Sequence, residues 1–277
     1  MQKGLLIISA FLAMTLFAPF TAHSQNRQKK GICIVAHRGY WNCSKAGYAK
    51  NSLAALVCAQ EAGFWGSEFD VNMTSDGVLL VYHDSEIDGK KIEEHPYEDF
   101  KYYRLKNGEP IPTIDQYLEQ GKKYPETVLV YELKEHSCKE VEDRFVDISI
   151  SKLQEHDLLD PSKVIFISFS YNICRRLAEK LPEFTVQYLN GDKSPEEVHA
   201  DNINGIDYKY NVFQLNRKWV GKARRIGMST NVWTVNKLMV MQEMFKMKVN
   251  MITSDYPQIV RELMQSKKIR ERINSPL

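Results

Sequence analysis

The 277-residue chain sets 37 basic side chains against 35 acidic ones and is 43% hydrophobic, the make-up of an ordinary folded protein. The near balance excludes a polybasic stripe, and with it the charge signature of a nucleic-acid binder or an anionic-membrane binder. Cys33, Cys43, Cys58, Cys138 and Cys174 have neither metal-ligand spacing nor that of a disulfide framework, and their odd number leaves at least one unpaired.

Met1 to Lys3 carry one positive charge, the apolar run GLLIISAFLAMTLFAPF follows, and Ala22 and Ser24 stand at the small-residue spacing of a signal-peptidase site. The run is short of the ~20 residues that span a bilayer. Residues 1–24 therefore read as a signal peptide cleaved near Ser24, the alternative being an uncleaved anchor. The expectation is a periplasmic or secreted protein with one domain over residues 25–277 and no stable membrane insertion after cleavage.

In chain order, short apolar strands are predicted at 32–36, 67–71, 127–133, 164–169, 184–189, 205–210, 229–235 and 250–254. Amphipathic stretches with helical spacing lie between them, among them SLAALVCAQEAG, SCKEVEDRFVDISISKLQEH, YNICRRLAEKL, NRKWVGKARRIG and KLMVMQEMFKMK, and a last helix begins near Tyr256. Eight strands alternating with helices predict an α/β protein with a (β/α)8 TIM barrel. An open doubly wound sheet is the alternative, since periodicity does not close a barrel. After strand 2, residues 76–112 interrupt the alternation with an additional strand, GVLLVYHD, and a tyrosine-rich loop; a helix capped by Thr113 follows. This elaboration is expected at the barrel mouth, and its shortness predicts no core of its own.

In a parallel barrel, functional side chains come from the C-terminal strand ends. His37 and Arg38 follow strand 1, Glu68 and Asp70 lie in strand 2, and Glu132 and Lys134 end strand 3. The i, i+2 spacing puts Glu68 and Asp70 on one face, with Phe69 and Val71 on the other, so the acidic face is the lumen. Buried carboxylates need partners. Either Arg38 and Lys134 pair with them, or the three hold a hard cation, calcium or magnesium, for which an all-oxygen set is suited. His83 follows the run VLLVY and precedes Asp84, an acid able to orient it.

The pieces AHRG (36–39), NSLAAL (51–56), SEFDVNMTSDGVLLVYHD (67–84), YELK (131–134), WTVN (233–236) and TSDYP (253–257) occur in an order that resembles the glycerophosphodiester phosphodiesterase family. The resemblance covers nearly all of the chain after the signal peptide and implies a metal-dependent TIM-barrel enzyme that cleaves a small-molecule glycerophosphodiester to an alcohol and glycerol 3-phosphate. It implies metal ligation by Glu68, Asp70 and Glu132, acid–base roles for His37 and His83, and phosphate contacts from Arg38 and Lys134. Trp233 is a candidate apolar wall for the substrate or else a core residue.

Lys50 stands where the family usually has an acid, which removes an expected outer partner of the metal. The long loop from Tyr40 to Ala49, with Trp41, Lys45 and Tyr48, reads either as a solvated excursion or as a substrate-facing lid. The cluster has no serine, threonine or cysteine beside a histidine, so the substrate's own hydroxyl is the expected nucleophile. A phospholipase or lyase acting on intact lipid would need an exposed apolar rim, and a noncatalytic phosphate- or lipid-binding relative would be free to lose both histidines.

Overall fold

The computed structural model describes residues 31–266; the expected signal peptide lies outside the described residues. In chain order the strands begin with β1 (Cys33–Ala36), β2 (Gly66–Met73), β3 (Leu79–Val81), β4 (Glu86–Ile87) and β5 (Lys90–Lys91). They continue with β6 (Val128–Leu133), β7 (Val164–Ser168), β8 (Thr185–Tyr188), β9 (Gly205–Lys209), β10 (Ser229–Trp233) and β11 (Met251–Ser254). The parallel path runs β10-β9-β8-β7-β6-β2-β1-β11. Its two end strands meet at a seam, where Asn250 N–H donates to Thr230 C=O at 3.1 Å and Val235 N–H to Thr253 C=O at 3.0 Å. Thr253 Oγ1 also donates to Asn231 Oδ1 across the seam at 3.2 Å. The eight predicted strands thus form a nearly closed barrel.

Strand alternation sorts the side chains. Val35, Val130, Ile165, Ile167 and Met251 fill the lumen, while Ile34, Phe69, Val71, Tyr131 and Phe166 point outward into the main core beneath the helices. Phe69 stacks on Tyr117 with ring centroids 4.4 Å apart, tying β2 to its crossover helix. That layer consists of α1 (Leu53–Glu61), α2 (Ile114–Gly121), α3 (Lys139–Glu155), α4 (Tyr171–Lys180), α5 (Pro195–Ala200), α6 (Tyr210–Leu215), α7 (Trp219–Arg225), α8 (Leu238–Met247) and α9 (Pro257–Gln265). Thr113 caps α2 in a reciprocal box with Gln116. At six residues each, α5 and α6 are too short to show helical periodicity. Among the described residues no helix is long and apolar enough to cross a membrane.

The elaboration differs from expectation in two respects. The predicted strand GVLLVYHD shrinks to β3, which pairs antiparallel with the end of β2 through Val71–Val81 and Met73–Leu79. The segment also builds a satellite core of Leu80, Ile87, Ile92, Phe100 and Ile111, with Tyr82 and Tyr103 packed on it. Chain length alone was a poor guide, because β3 anchors this cluster to the barrel and only a few more side chains are needed to enclose it.

At the end of β1 the chain must turn sharply. Arg38 and Gly39 take left-handed φ values of 54° and 75°. A Cβ on Gly39 would sit 2.7 Å from the Ala55 backbone, so two separate constraints demand glycine here. Gly39→Ala is expected to destabilise the protein by roughly 1–3 kcal/mol. Urea unfolding measures this, and an unchanged midpoint would show that the turn relaxes freely.

Candidate active site

The turn after β1 assembles the site. Arg38 N–H donates to Glu68 Oε2 at 2.6 Å, and its guanidinium Nε lies 3.3 Å from Asp70 Oδ2. A left-handed non-glycine residue costs of order 1–3 kcal/mol; here it lets one residue reach two carboxylates with its backbone and its side chain. Asn51, also left-handed at φ 57°, donates its amide to Asp70 Oδ2 at 2.8 Å. Its N–H bonds Arg38 C=O at 3.0 Å, locking the turn to the start of α1.

Glu68 and Asp70 on β2 and Glu132 on β6 are buried, and an oxygen from each lies within 4.8 Å of the others. Parallel pairing makes this possible, since Asp70 sits directly beside Glu132 in the β2–β6 register. Lys134 Nζ donates to Glu132 Oε1 at 2.7 Å and lies 3.4 Å from Asp70 Oδ1. The ion pairs expected from Arg38 and Lys134 therefore exist. They leave Glu68 Oε1 buried without a partner, and Arg38 Nε lacks an aligned acceptor. Burial, then repulsion from Asp70 and Glu132, holds the Glu68 carboxyl well above its ordinary value. Burial and Asp70 push Glu132 up to about 7. For Asp70 burial acts upward too, but Lys134 and Arg38 outweigh it and the net shift is downward. Three converging carboxylates with a buried, unpartnered oxygen and two raised pKa values are a site short of positive charge, and all-oxygen donors fit a hard divalent cation.

His37 Nδ1 lies 2.7 Å from Asp255 Oδ1, and His37 Nε2 points to Glu68 Oε2 at 4.0 Å. Asp255 also accepts from Trp41 Nε1 at 3.0 Å and from Asn236 Nδ2 at 2.6 Å. Burial raises its carboxyl, but the bond and charge of His37, with the donors Asn236 and Trp41, together outweigh it and take it down to about 2. His83, in the loop after β3, has Nδ1 2.6 Å from Asp84 Oδ1, the partner its sequence neighbour suggested. Burial, with Lys134 and Arg38 nearby, lowers its pKa. His37, Arg38, Glu68, His83, Glu132 and Lys134 line one cavity of about 200 Å³. A larger hollow of about 480 Å³ at the opposite end of the barrel, beside Ile32, Trp65 and Arg261, holds no comparable set of groups.

The rest of the cavity wall is Ile167, Phe169, Leu189, Asp207, Trp233, Thr234 and Thr253. Trp233 meets Phe169 edge-on at 5.5 Å and donates to the Asp207 carbonyl at 2.9 Å, so this tryptophan is a wall of the cavity. Asp207 Oδ2 accepts from Asn231 at 3.1 Å while Oδ1 is buried and unpartnered. Burial, then Glu132, holds this acid well above its ordinary value.

A family model described as the glycerophosphoryl diester phosphodiesterase family matches residues 37–259. The chain belongs to this family. It is 38% identical to a glycerophosphodiester phosphodiesterase of known structure from Parabacteroides distasonis, with 87% of this chain and 98% of that one covered and a TM-score of 0.81. A Bacillus subtilis glycerophosphodiester phosphodiesterase is 25% identical, over 94% of this chain and 96% of its own. An Oleispira antarctica phosphodiesterase, solved in complex with sn-glycerol-3-phosphate, shares the fold at 23% identity and a TM-score of 0.71, with 84% and 97% covered.

All eight site residues singled out in the sequence converge, Trp233 included. Reading by strand ends missed Asn51, Asp207 and Asp255. Asp207 had a signal, an acid at a lumen position of an apolar strand, as with Glu68. Asp255 and Asn51 lay inside recognised pieces, TSDYP and NSLAAL, yet their partners are distant in sequence. Lys50 stacks its ammonium over the Trp41 ring at 4.7 Å, and it is Asn51 that contacts Asp70.

The raised carboxyls set a pH dependence. A carboxyl whose pKa rises on folding, such as Glu132 from 4.5 to about 7, costs stability that grows above pH 4.5 and is full above 7. Metal-free protein should therefore gain thermal stability as pH falls from 7 towards 4.5, a window lying above the ordinary range of Asp70 and Asp255. Saturating calcium or magnesium should remove this slope, and Glu68→Gln should weaken the metal-induced shift in Tm. A metal-free protein with no such slope would count against a charge-strained triad.

Proposed function

We propose that the chain is an exported, divalent-metal-dependent phosphodiesterase that hydrolyses glycerophosphodiesters to an alcohol and glycerol 3-phosphate by paired histidine acid–base catalysis. The observation that carries this is the convergence of Glu68 and Glu132 with His37, His83, Arg38 and Lys134 on one cavity, with Asp70 within 4.8 Å of both acids. Family membership supports it, as does the glycerol 3-phosphate bound by the Oleispira relative. The N-terminal signal pattern supports export, and a family match running from 37 to 259 supports one catalytic domain.

Glu68, Asp70 and Glu132 would hold the ion, and a bound calcium or magnesium would neutralise charge on the diester and acidify a nearby hydroxyl. Arg38 supplies a planar, permanently charged donor for phosphate oxygens, and its unaligned Nε is available for one. Lys134 adds a point charge from the same side as Glu132. The Asp255 carboxylate orders the His37 ring through Nδ1, leaving Nε2 to donate a proton to the departing alkoxide. His83, its pKa lowered by burial, is the neutral imidazole that accepts the proton of the attacking group. Phe169, Leu189 and Trp233 offer an apolar surface to the carbon skeleton, and Asp207 a polar point for a hydroxyl. The attacking group is the glycerol hydroxyl next to the diester, whose tethering supplies a high effective concentration. Attack gives a cyclic phosphate, and water then opens the ring.

A second reading, cleavage of intact lipid, has one observation in its favour. Leu238 and Met239, 54% and 83% exposed at the start of α8, lie just past the β10 end of the barrel, where no hydrophobic loop was expected. Turnover of glycerophosphodiesters against vesicle-borne diacyl substrate separates the two.

His37→Ala and His83→Ala should each lower kcat by about 10²–10⁴-fold with little effect on folding. Loss of the acid limb of the pH–rate profile in His83→Ala, a limb lying below the ordinary imidazole value of 6.5 in the wild type, would identify it as the base. Chelator should abolish turnover, and calcium or magnesium should restore it; full activity in chelator would overturn the metal assignment. A substrate lacking the vicinal hydroxyl should bind yet turn over very slowly, and equal turnover would show that water attacks phosphorus directly.

A further inference from the structure

The five cysteines occupy unlike places. Cys33 faces the lumen, Cys174 lies in the outer core, and Cys138 is exposed at the start of α3. Cys43 and Cys58 share a small cluster between the 40–50 loop and α1, enclosed by Ala46, Ala55 and Trp41. Cys43 packs against the cluster that holds Cys58, and its thiol donates to Tyr40 C=O at 3.3 Å. Contacts on both sides keep them in register. Tyr40 N–H donates to Ala55 C=O at 2.9 Å, a helical turn before Cys58, and Lys45 pairs with Glu61, three residues after it.

We propose that Cys43 and Cys58 form a disulfide that staples the loop bearing Trp41 to α1. The oxidant is another disulfide, on a thiol–disulfide oxidoreductase or a small molecule such as oxidised glutathione. Cys43, the more exposed thiol, attacks it as the thiolate, which forms a mixed disulfide and releases one thiol. Cys58 then displaces the second thiol and closes the bridge, so two electrons and two protons pass to the oxidant. Burial pushes the Cys58 thiol up to about 12, which makes it the second to react. The staple bears on the site because Trp41, two residues before Cys43, donates to the carboxylate that holds His37. It accounts for two cysteines in the small apolar cluster between loop and helix, beside the Tyr40–Ala55 main-chain bond and the Lys45–Glu61 ion pair.

The test starts from protein with all thiols reduced, treated with oxidised glutathione, then denatured and alkylated without reductant. Expected are three alkylated cysteines, a cross-linked peptide pair containing Cys43 and Cys58, and a mass about 2 Da below the reduced chain before alkylation. The oxidised protein should melt roughly 5–10 °C above the reduced one, and Cys43→Ser, which should still fold, should show no such difference. Five alkylated cysteines, a bridge through Cys138, or equal melting temperatures of the two forms would overturn the proposal.

Discussion

The burial of three carboxylates against one another is the constraint from which the rest of the site follows. Glu68, Asp70 and Glu132 are placed together by a parallel ladder that cannot be shifted by one residue without turning Phe69 and Val71 into the lumen and the acids into the apolar core. The hydrophobic layer under the helices thus enforces the electrostatic strain at the barrel mouth. What offsets that strain is a ring of nearby donors: the Arg38 amide, the Lys134 ammonium and the Asn51 amide. They satisfy Asp70 well, Glu132 in part, and one oxygen of Glu68 not at all.

This unequal satisfaction shapes the chemistry. A fully neutralised cluster would have little use for a cation and little reach for a phosphate. Here the excess of negative charge and the cations proposed to meet phosphate share one cavity, and a carboxylate backs each imidazole. Asp255 is the more embedded of those two carboxylates, drawing donors from the loop after β1 and the loop after β10 into one anchor for His37. Loops from opposite sides of the barrel seam therefore meet at a single side chain, and the 40–50 loop is folded onto the site by Trp41.

Strain is concentrated in the same place. Arg38 and Asn51 both occupy left-handed backbone, and the two are joined by a main-chain hydrogen bond. Neither conformation would persist in isolation. Each is held because its side chain or amide is needed by a buried acid, which ties backbone energetics directly to the function of the turn.

Short apolar runs determined by themselves the strands and their order along the chain, and the period of two set the inward face of Glu68 and Asp70, because both are local properties. The Thr113 cap and the His83–Asp84 pair were equally legible, since their partners lie within a few residues. Only the tertiary structure decided that the barrel nearly closes, that the short elaboration encloses its own apolar cluster, and that Asp255, Asn51 and Asp207 belong to the site. His37 and Asp255 are brought together by β1 pairing with β11, strands from the two ends of the described chain. No local pattern encodes such a pairing; it follows from eight strands twisting until the last finds the first.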